Sequence, residues 1–142
     1  MSFAKPATAA LDSMQPPVTG GGAGIQFVSD LHGCECAGEL LARSERLEQA
    51  CMAAVQACGL TPVGSRFHQF QPAGATGVVL LAESHLAVHT WPEHRFVSVD
   101  LYVCNFGADN TGKAERLIAS MVALFGARTP DSQRIRRGGV AP

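Results

Sequence analysis

The sequence predicts an α+β protein, a two-layer α/β sandwich in which two helices cover one face of an antiparallel sheet. Two periodicities carry this prediction. Apolar and polar residues alternate along residues 85–90 and 96–104, as they do in half-buried strands. Apolar residues recur every three or four positions along residues 39–58 and 112–125, which is the period of an amphipathic helix. The resulting element order, β-α-β-β-β-β-α-β, suits helices packed on one side of such a sheet.

The first half of the chain is expected to supply two strands and a helix. Residues 1–24 contain many prolines and glycines, which indicates a flexible tail, and residues 25–31 follow as the first strand. The helix over residues 39–58 is expected to end at Gly59, because glycine commonly terminates helices. A second strand is predicted at residues 61–70, before a turn that contains proline and glycine.

The second half is expected to supply four strands and a helix. A short, wholly apolar strand is predicted at residues 78–82, and the alternating strands at 85–90 and 96–104 come next. The helix over residues 112–125 leads to a predicted edge strand at residues 132–136. Alternation leaves one face of the sheet partly polar, which is typical of a solvated face or of a binding surface. The side chains expected on that face are His85, Ala87, His89, Ser98, Asp100, Tyr102 and Cys104.

Composition limits the possible classes of function. The chain has 142 residues, of which 46% are hydrophobic and 16% charged, so residues 25–142 are expected to form a single globular domain. A formal net charge of −1 gives no electrostatic reason to expect nucleic acid, and no apolar run approaches the roughly 20 residues that span a bilayer. Five cysteines without a recognisable export signal indicate reduced thiols and a cytoplasmic protein.

Several conspicuous residues have simple structural interpretations. Cys34, Cys51 and Cys58 fit small apolar fillers of the core, and His68 and His94 fit surface residues. A zinc site is disfavoured, because the cysteines of "HGCEC" have C-x-C rather than C-x2-C spacing, and no metal is expected. A serine hydrolase is disfavoured too, because the serine of "ESH" lacks a G-x-S-x-G context.

The stretch from residue 83 to residue 104 points to a specific chemistry. It reads "ESHLAVHTWPE" and then D-x-x-x-C, and it resembles the self-processing site of the small prokaryotic pyruvoyl-dependent S-adenosylmethionine decarboxylases. The resemblance runs from residue 25 to the C-terminus and includes "DLHGC", "FHQF" and "GATGVVLLAES". It implies a carboxy-lyase that makes its own cofactor, acts on a small-molecule substrate, and works as a homodimer whose protomers pair sheet to sheet.

The resemblance also implies roles for individual residues. Self-cleavage between Glu83 and Ser84 would proceed through an ester and convert Ser84 into a pyruvoyl group, whose ketone forms a Schiff base with the substrate amine. His89 would remove the α-proton of the ester during processing. Thr76 stands where the family usually has a processing serine, and it keeps the hydroxyl group. Cys104 would protonate the substrate after decarboxylation.

The resemblance implies one substrate, and two alternative functions remain open. Phe70 and Glu93 match positions that lie near the nucleoside in the family, which implies S-adenosylmethionine as substrate and a product used in polyamine (spermidine) synthesis. The residues "HRF" after "WPE" depart from the family's aromatic and glycine, so a decarboxylase of ornithine or arginine is the first alternative. A non-catalytic homologue that regulates a partner is the second.

Strand parity adds an expectation about the cleavage site itself. Ser84 is one position out of phase with His85 and His89, so a regular strand would point its side chain away from theirs. We therefore expect a bend or bulge at the Glu83–Ser84 linkage. Backbone strain there would favour the acyl shift.

Overall fold

One sheet with helices on one side organises the part of the chain that this computed structural model describes, residues 23–105 and 108–138. The strands are β1 (Gly24–Cys34), β2 (Pro62–Gln69), β3 (Ala75–Leu81), β4 (Ser84–Trp91), β5 (Phe96–Cys104) and β6 (Ala127–Arg137). The helices are α1 (Gly38–Ala42), α2 (Ser44–Ala57) and α3 (Thr111–Phe125), and a 3-10 turn covers Pro92–His94. Of the predicted tail, residues 1–22 lie outside the described residues, and Gly24 already belongs to β1.

The sheet is antiparallel throughout, in the order β2-β3-β4-β5-β1-β6, so the predicted fold class is confirmed. β3, β4 and β5 are consecutive hairpin neighbours, and β1 lies between β5 and the edge strand β6. The predicted edge strand is therefore real, but it begins at Ala127 rather than at residue 132. No helix in the described ranges has both the length and the apolar character needed to span a membrane.

The core lies between the helices and one face of the sheet. Leu86 and Val88 of β4 are fully buried, whereas their neighbours His85 and His89 are only half-buried, as the alternation predicts. The same alternation holds along β5. The largest fully buried side chains include Phe125, Ile25, Leu31, Leu41, Leu47, Leu86, Leu101, Leu117 and Met121. Burial of this apolar surface, at roughly 25 cal/mol per Å², is the main stabilising term of the fold.

The predicted single helix over residues 39–58 is wrong at Arg43, where the chain is extended (φ −117°, ψ 122°) and separates α1 from α2. The side chain of Gln69 in β2 bridges this break. Its amide nitrogen donates to the Ala42 carbonyl at 2.8 Å, and its amide oxygen accepts from the Ser44 backbone N–H at 2.7 Å. The Ser44 N–H thereby gains a partner at the break, and the Ala42 carbonyl, which also accepts from the Gly74 N–H at 3.0 Å, gains a second one. Helical periodicity continues across the break, so the sequence pattern did not reveal it.

A buried threonine connects the first helix to the sheet. The Thr90 hydroxyl donates to the Leu41 carbonyl at 2.7 Å and accepts from the Ala75 backbone N–H at 2.9 Å. The hydroxyl is thus satisfied although the residue is only 5% exposed. Nearby, the ring of Phe67 in β2 lies over its paired residue Gly77 in β3, where a Cβ atom would come within 2.1 Å of the ring. These contacts fix the end of β4 that carries His89.

Candidate active site

The Glu83–Ser84 linkage lies at the tip of the hairpin between β3 and β4. Ala82 and Glu83 form a two-residue turn, and Leu81 pairs with Ser84 across it. The turn is held by the segment before β2, because the Ala82 N–H donates to the Thr61 carbonyl at 2.8 Å and the Thr61 N–H donates to the Glu83 carboxylate at 3.0 Å. The linkage therefore occupies a fixed, half-buried corner of the sheet.

Ser84 has an unusual backbone conformation for a residue with a side chain. Its φ is +155°, and residues other than glycine seldom adopt a positive φ. The predicted departure from a regular strand at this linkage is thus present, in the form of a tight turn followed by a strained first strand residue. The conformation raises the energy of the peptide that the resemblance predicts to be cleaved.

The backbone of Cys104 contacts the Glu83–Ser84 linkage. Its N–H donates to the carbonyl oxygen of Glu83 at 2.8 Å. Its own carbonyl accepts from the side-chain amide of Asn110 at 2.9 Å, and Asn110 is 4% exposed. A hydrogen bond to the Glu83 carbonyl withdraws electron density from its carbon and would stabilise negative charge on its oxygen.

His89 and Thr76 form a second group at the opposite end of β4. The Thr76 hydroxyl lies 2.6 Å from Nδ1 of His89, in directly paired positions of β3 and β4. Both residues line a cavity of about 380 Å³ together with Phe70 and Glu93. The structure thus groups four of the residues singled out in the sequence.

The two groups are far apart within one chain. His89 is five positions after Ser84 along β4, which at ~3.3 Å per residue places their Cα atoms about 16 Å apart. A histidine side chain does not reach across that distance. The structure therefore brings Cys104 to the linkage, but it does not bring His89 there.

One neighbour of Ser84 was not singled out as a functional residue. Nδ1 of His85 lies 3.5 Å from the Ser84 hydroxyl, and Nε2 of the same ring lies 3.8 Å from a carboxylate oxygen of Asp100. Alternation had placed both residues on the polar face of the sheet. The pairing of His85 with Tyr102, rather than with Asp100, makes this a diagonal contact that the pattern alone does not specify.

The remaining cysteines have the environment expected of fillers. Cys34, Cys51 and Cys58 are buried, as predicted, and all five cysteines are free thiols. Burial raises the pKa of Cys51 to about 12, and burial likewise raises the pKa of Cys34 and of Cys36. Their thiolate forms are suppressed at neutral pH, so these thiols are poor nucleophiles.

The sequence and the fold both match a known class of enzyme. The family model described as "S-adenosylmethionine decarboxylase" matches residues 25–138. The chain belongs to the S-adenosylmethionine decarboxylase family. The family recognised from "ESHLAVHTWPE" is thereby confirmed.

Individual relatives support the same assignment. The chain is 38% identical over 115 residues to the S-adenosylmethionine decarboxylase proenzyme of Aquifex aeolicus, covering 81% of each chain. It is 44% identical over 115 residues to the proenzyme of that name from a Hydrogenobaculum species, again covering 81% of each chain. The crystal structure of the adenosylmethionine decarboxylase from Aquifex aeolicus superposes with a TM-score of 0.76 at 36% identity, covering 86% of this chain and 96% of the other.

Proposed function

We propose that this chain is a proenzyme that cleaves itself between Glu83 and Ser84 and then decarboxylates S-adenosylmethionine. The observation that carries the proposal is the geometry of the Glu83–Ser84 peptide. Its carbonyl accepts a hydrogen bond from the Cys104 N–H, and the residue that follows the carbonyl, Ser84, has a strained backbone. The hydrogen bond continues the β4–β5 pairing by one position beyond Ser84 and Val103, whereas the positive φ of Ser84 is a feature that an ordinary hairpin does not need. The relatives described above are named proenzymes of this activity, which supports both halves of the proposal.

The self-cleavage uses the chain's own atoms. The Ser84 hydroxyl oxygen bonds to the Glu83 carbonyl carbon, and the C–N bond to Ser84 breaks, which leaves an ester and a free amine. Loss of the Ser84 α-proton then breaks the bond between Cβ and the ester oxygen, which releases the Glu83 carboxylate. Hydrolysis of the resulting unsaturated amine expels ammonia and leaves a pyruvoyl group on the second chain. The backbone N–H of Cys104 would stabilise the oxyanion of the first step.

The pyruvoyl ketone supplies the electron sink that decarboxylation of an amino acid requires. The surrounding residues fit such a group, because Ser84 lies at a corner that is open to a ligand and is flanked by Cys104. We assign to the Cys104 thiol the protonation of the substrate carbon. Phe70 and Glu93 line the same cavity as His89 and Thr76. We assign to Phe70 an aromatic contact with the nucleoside and to Glu93 a carboxylate contact.

A second copy of the chain would complete the active site. We propose that His89 and Thr76 of one protomer act on Ser84 of the other, since about 16 Å separates Ser84 from His89 within one protomer. The sheet face that carries them is suited to such a contact, because it exposes Leu80, Trp91 and Phe70, which are 50%, 40% and 47% accessible. Pairing of these faces would bury apolar surface and bring the two groups together.

We further propose that the enzyme works in the cytoplasm and contributes to polyamine synthesis. Free thiols at all five cysteines fit a reducing compartment. Decarboxylated S-adenosylmethionine is the product that the proposed reaction supplies to spermidine synthesis.

Intact mass spectrometry tests the self-cleavage. We expect the purified protein to contain the chains Met1–Glu83 and 84–142, the second lighter by the mass of ammonia than a chain that begins with serine. Ser84→Ala should yield a single folded chain, because the substitution removes the attacking oxygen. A single chain in the unsubstituted protein would contradict the proposed processing.

A substrate panel tests the reaction. We expect CO2 release from S-adenosylmethionine and not from ornithine or arginine. Turnover of a basic amino acid alone would assign the enzyme to the first alternative. Cleavage into two chains without turnover of any of the three would contradict the proposed substrate.

A further inference from the structure

A row of polar side chains leads away from Ser84 across the open face of the sheet. The Ser84 hydroxyl lies 3.5 Å from Nδ1 of His85, and Nε2 of His85 lies 3.8 Å from Oδ2 of Asp100. The other carboxylate oxygen of Asp100 accepts a hydrogen bond from the side-chain amide of Gln26 at 2.7 Å. The amide oxygen of Gln26 accepts in turn from the guanidinium of Arg137. Serine, imidazole and carboxylate are thus aligned at the linkage to be cleaved.

We propose that His85 is the base that takes the proton of the Ser84 hydroxyl when that oxygen attacks Glu83, and that Asp100 positions His85 for this step. The proposal rests on the proposed self-cleavage and concerns only its first step. It gives His85 a role distinct from that of His89, which lies too far along β4 to reach Ser84 of its own chain.

The position of the Asp100 carboxylate determines which ring nitrogen of His85 can act as the base. A neutral imidazole carries one N–H and has one nitrogen with a free lone pair. The nitrogen that faces the carboxylate, Nε2, holds the hydrogen, because a lone pair there would face a negative charge. Nδ1 is then left with its lone pair directed at the Ser84 hydroxyl. The contact across 3.8 Å is too long for a hydrogen bond, so Asp100 acts through its charge.

Asp100 and the ring of His85 are each held in place from another strand. Gln26 in β1 fixes the carboxylate and is itself fixed by Arg137 in β6. The Arg137 guanidinium lies 5.1 Å above the ring of Tyr102, and that ring lies 6.0 Å from the ring of His85. Strands from both sides of β5 therefore converge on one carboxylate. A solvated polar face does not require such convergence.

The proposed step balances without any co-reactant. The proton of the Ser84 hydroxyl moves to Nδ1 of His85 as the oxygen bonds to the Glu83 carbonyl carbon. The imidazolium, stabilised by the Asp100 carboxylate, then returns the proton to the nitrogen of Ser84 as the C–N bond breaks. His85 ends the step neutral, and the only products are the ester and the free amine.

Substitution of the two histidines should therefore arrest processing at different species. Without His85 the ester should not form, and the chain should stay an ordinary polypeptide. Without His89 the ester should form and persist, because the α-proton is not removed. Hydroxylamine distinguishes these cases, since it cleaves esters and leaves peptides intact.

The experiment follows cleavage of the full-length chain after cell-free synthesis, with and without hydroxylamine. We expect His85→Ala to slow cleavage by about 10²-fold to 10⁴-fold, the usual effect of losing a positioned base, and to show no hydroxylamine-sensitive species. His89→Ala should accumulate such a species. His32→Ala is the matched control, because His32 is an exposed histidine stacked on Phe96, and it should cleave at the normal rate. Added imidazole should partly restore cleavage of His85→Ala.

The positioning role of Asp100 has its own readout. Asp100→Asn should slow cleavage in the unsubstituted background and have no further effect in the His85→Ala background, because it acts through the missing ring. Equal slowing in both backgrounds would show that Asp100 has a structural role only. If His85→Ala does not fold, His85→Gln gives the same readout with less change in volume.

The outcomes separate this proposal from the one on which it rests. If the unsubstituted chain stays in one piece, the proposed self-cleavage fails, and this step fails with it. If that chain cleaves but His85→Ala cleaves equally fast, or accumulates the ester, only the proposed role of His85 is overturned.

Discussion

Cys104 contributes two separable parts to the candidate site. Its backbone N–H holds the Glu83 carbonyl, and its thiol is assigned to the later protonation of substrate. An alanine at this position keeps the N–H and loses the thiol. The two parts can therefore be tested by a single substitution.

We expect Cys104→Ala to process normally and to decarboxylate about 10²-fold to 10⁴-fold more slowly, the usual effect of losing a positioned acid. Denaturing gels measure the first effect, and CO2 release measures the second. The control is Cys58→Ala, which removes a buried thiol that has no assigned role. Full and lasting activity in Cys104→Ala would remove the thiol from the mechanism.

At the scale of single elements, the strands were predicted better than the first helix. A period of two reports which face a side chain occupies, so the inward positions of β4 and β5 followed from the sequence alone. The break at Arg43 did not follow, because Gln69 stabilises it from a strand far along the chain. The separation of His89 from Ser84, in contrast, follows from their spacing along β4 at ~3.3 Å per residue once these residues are known to form one strand.

The helix break offers a stability prediction. We expect Gln69→Ala to lower the free energy of unfolding by about 1–3 kcal/mol, because the Ser44 N–H loses its partner and the Ala42 carbonyl keeps only the Gly74 N–H. Gln49→Ala on the exposed surface of α2 is the matched control and should change it by less than about 0.5 kcal/mol. Denaturant titration measures both. Equal effects would show that the Gln69 amide does not stabilise the break.

At the scale of the whole molecule, the division of the site into two groups predicts complementation between copies. Ser84→Ala and His89→Ala should each remain essentially uncleaved when expressed alone. When the two are expressed together, mixed dimers should cleave the His89→Ala chain, because the other copy supplies His89. Mass spectrometry of differently tagged chains measures this. Absence of cleavage in the mixture, with dimers present, would place the whole site within one chain.

The position of the hairpin tip has a consequence for reassembly of the protein. The proposed cleavage there would assign β1, β2 and β3 to one chain and β4, β5 and β6 to the other, yet β1 lies between β5 and β6. The products are therefore interlaced, and neither retains a complete layer of sheet when separated. We expect formation of the sheet during refolding to be independent of concentration for the unprocessed Ser84→Ala chain, although its dimerisation is not, whereas the processed pair should form the sheet more slowly on dilution. Self-cleavage would thus change formation of the sheet from an event within one chain into an encounter between two.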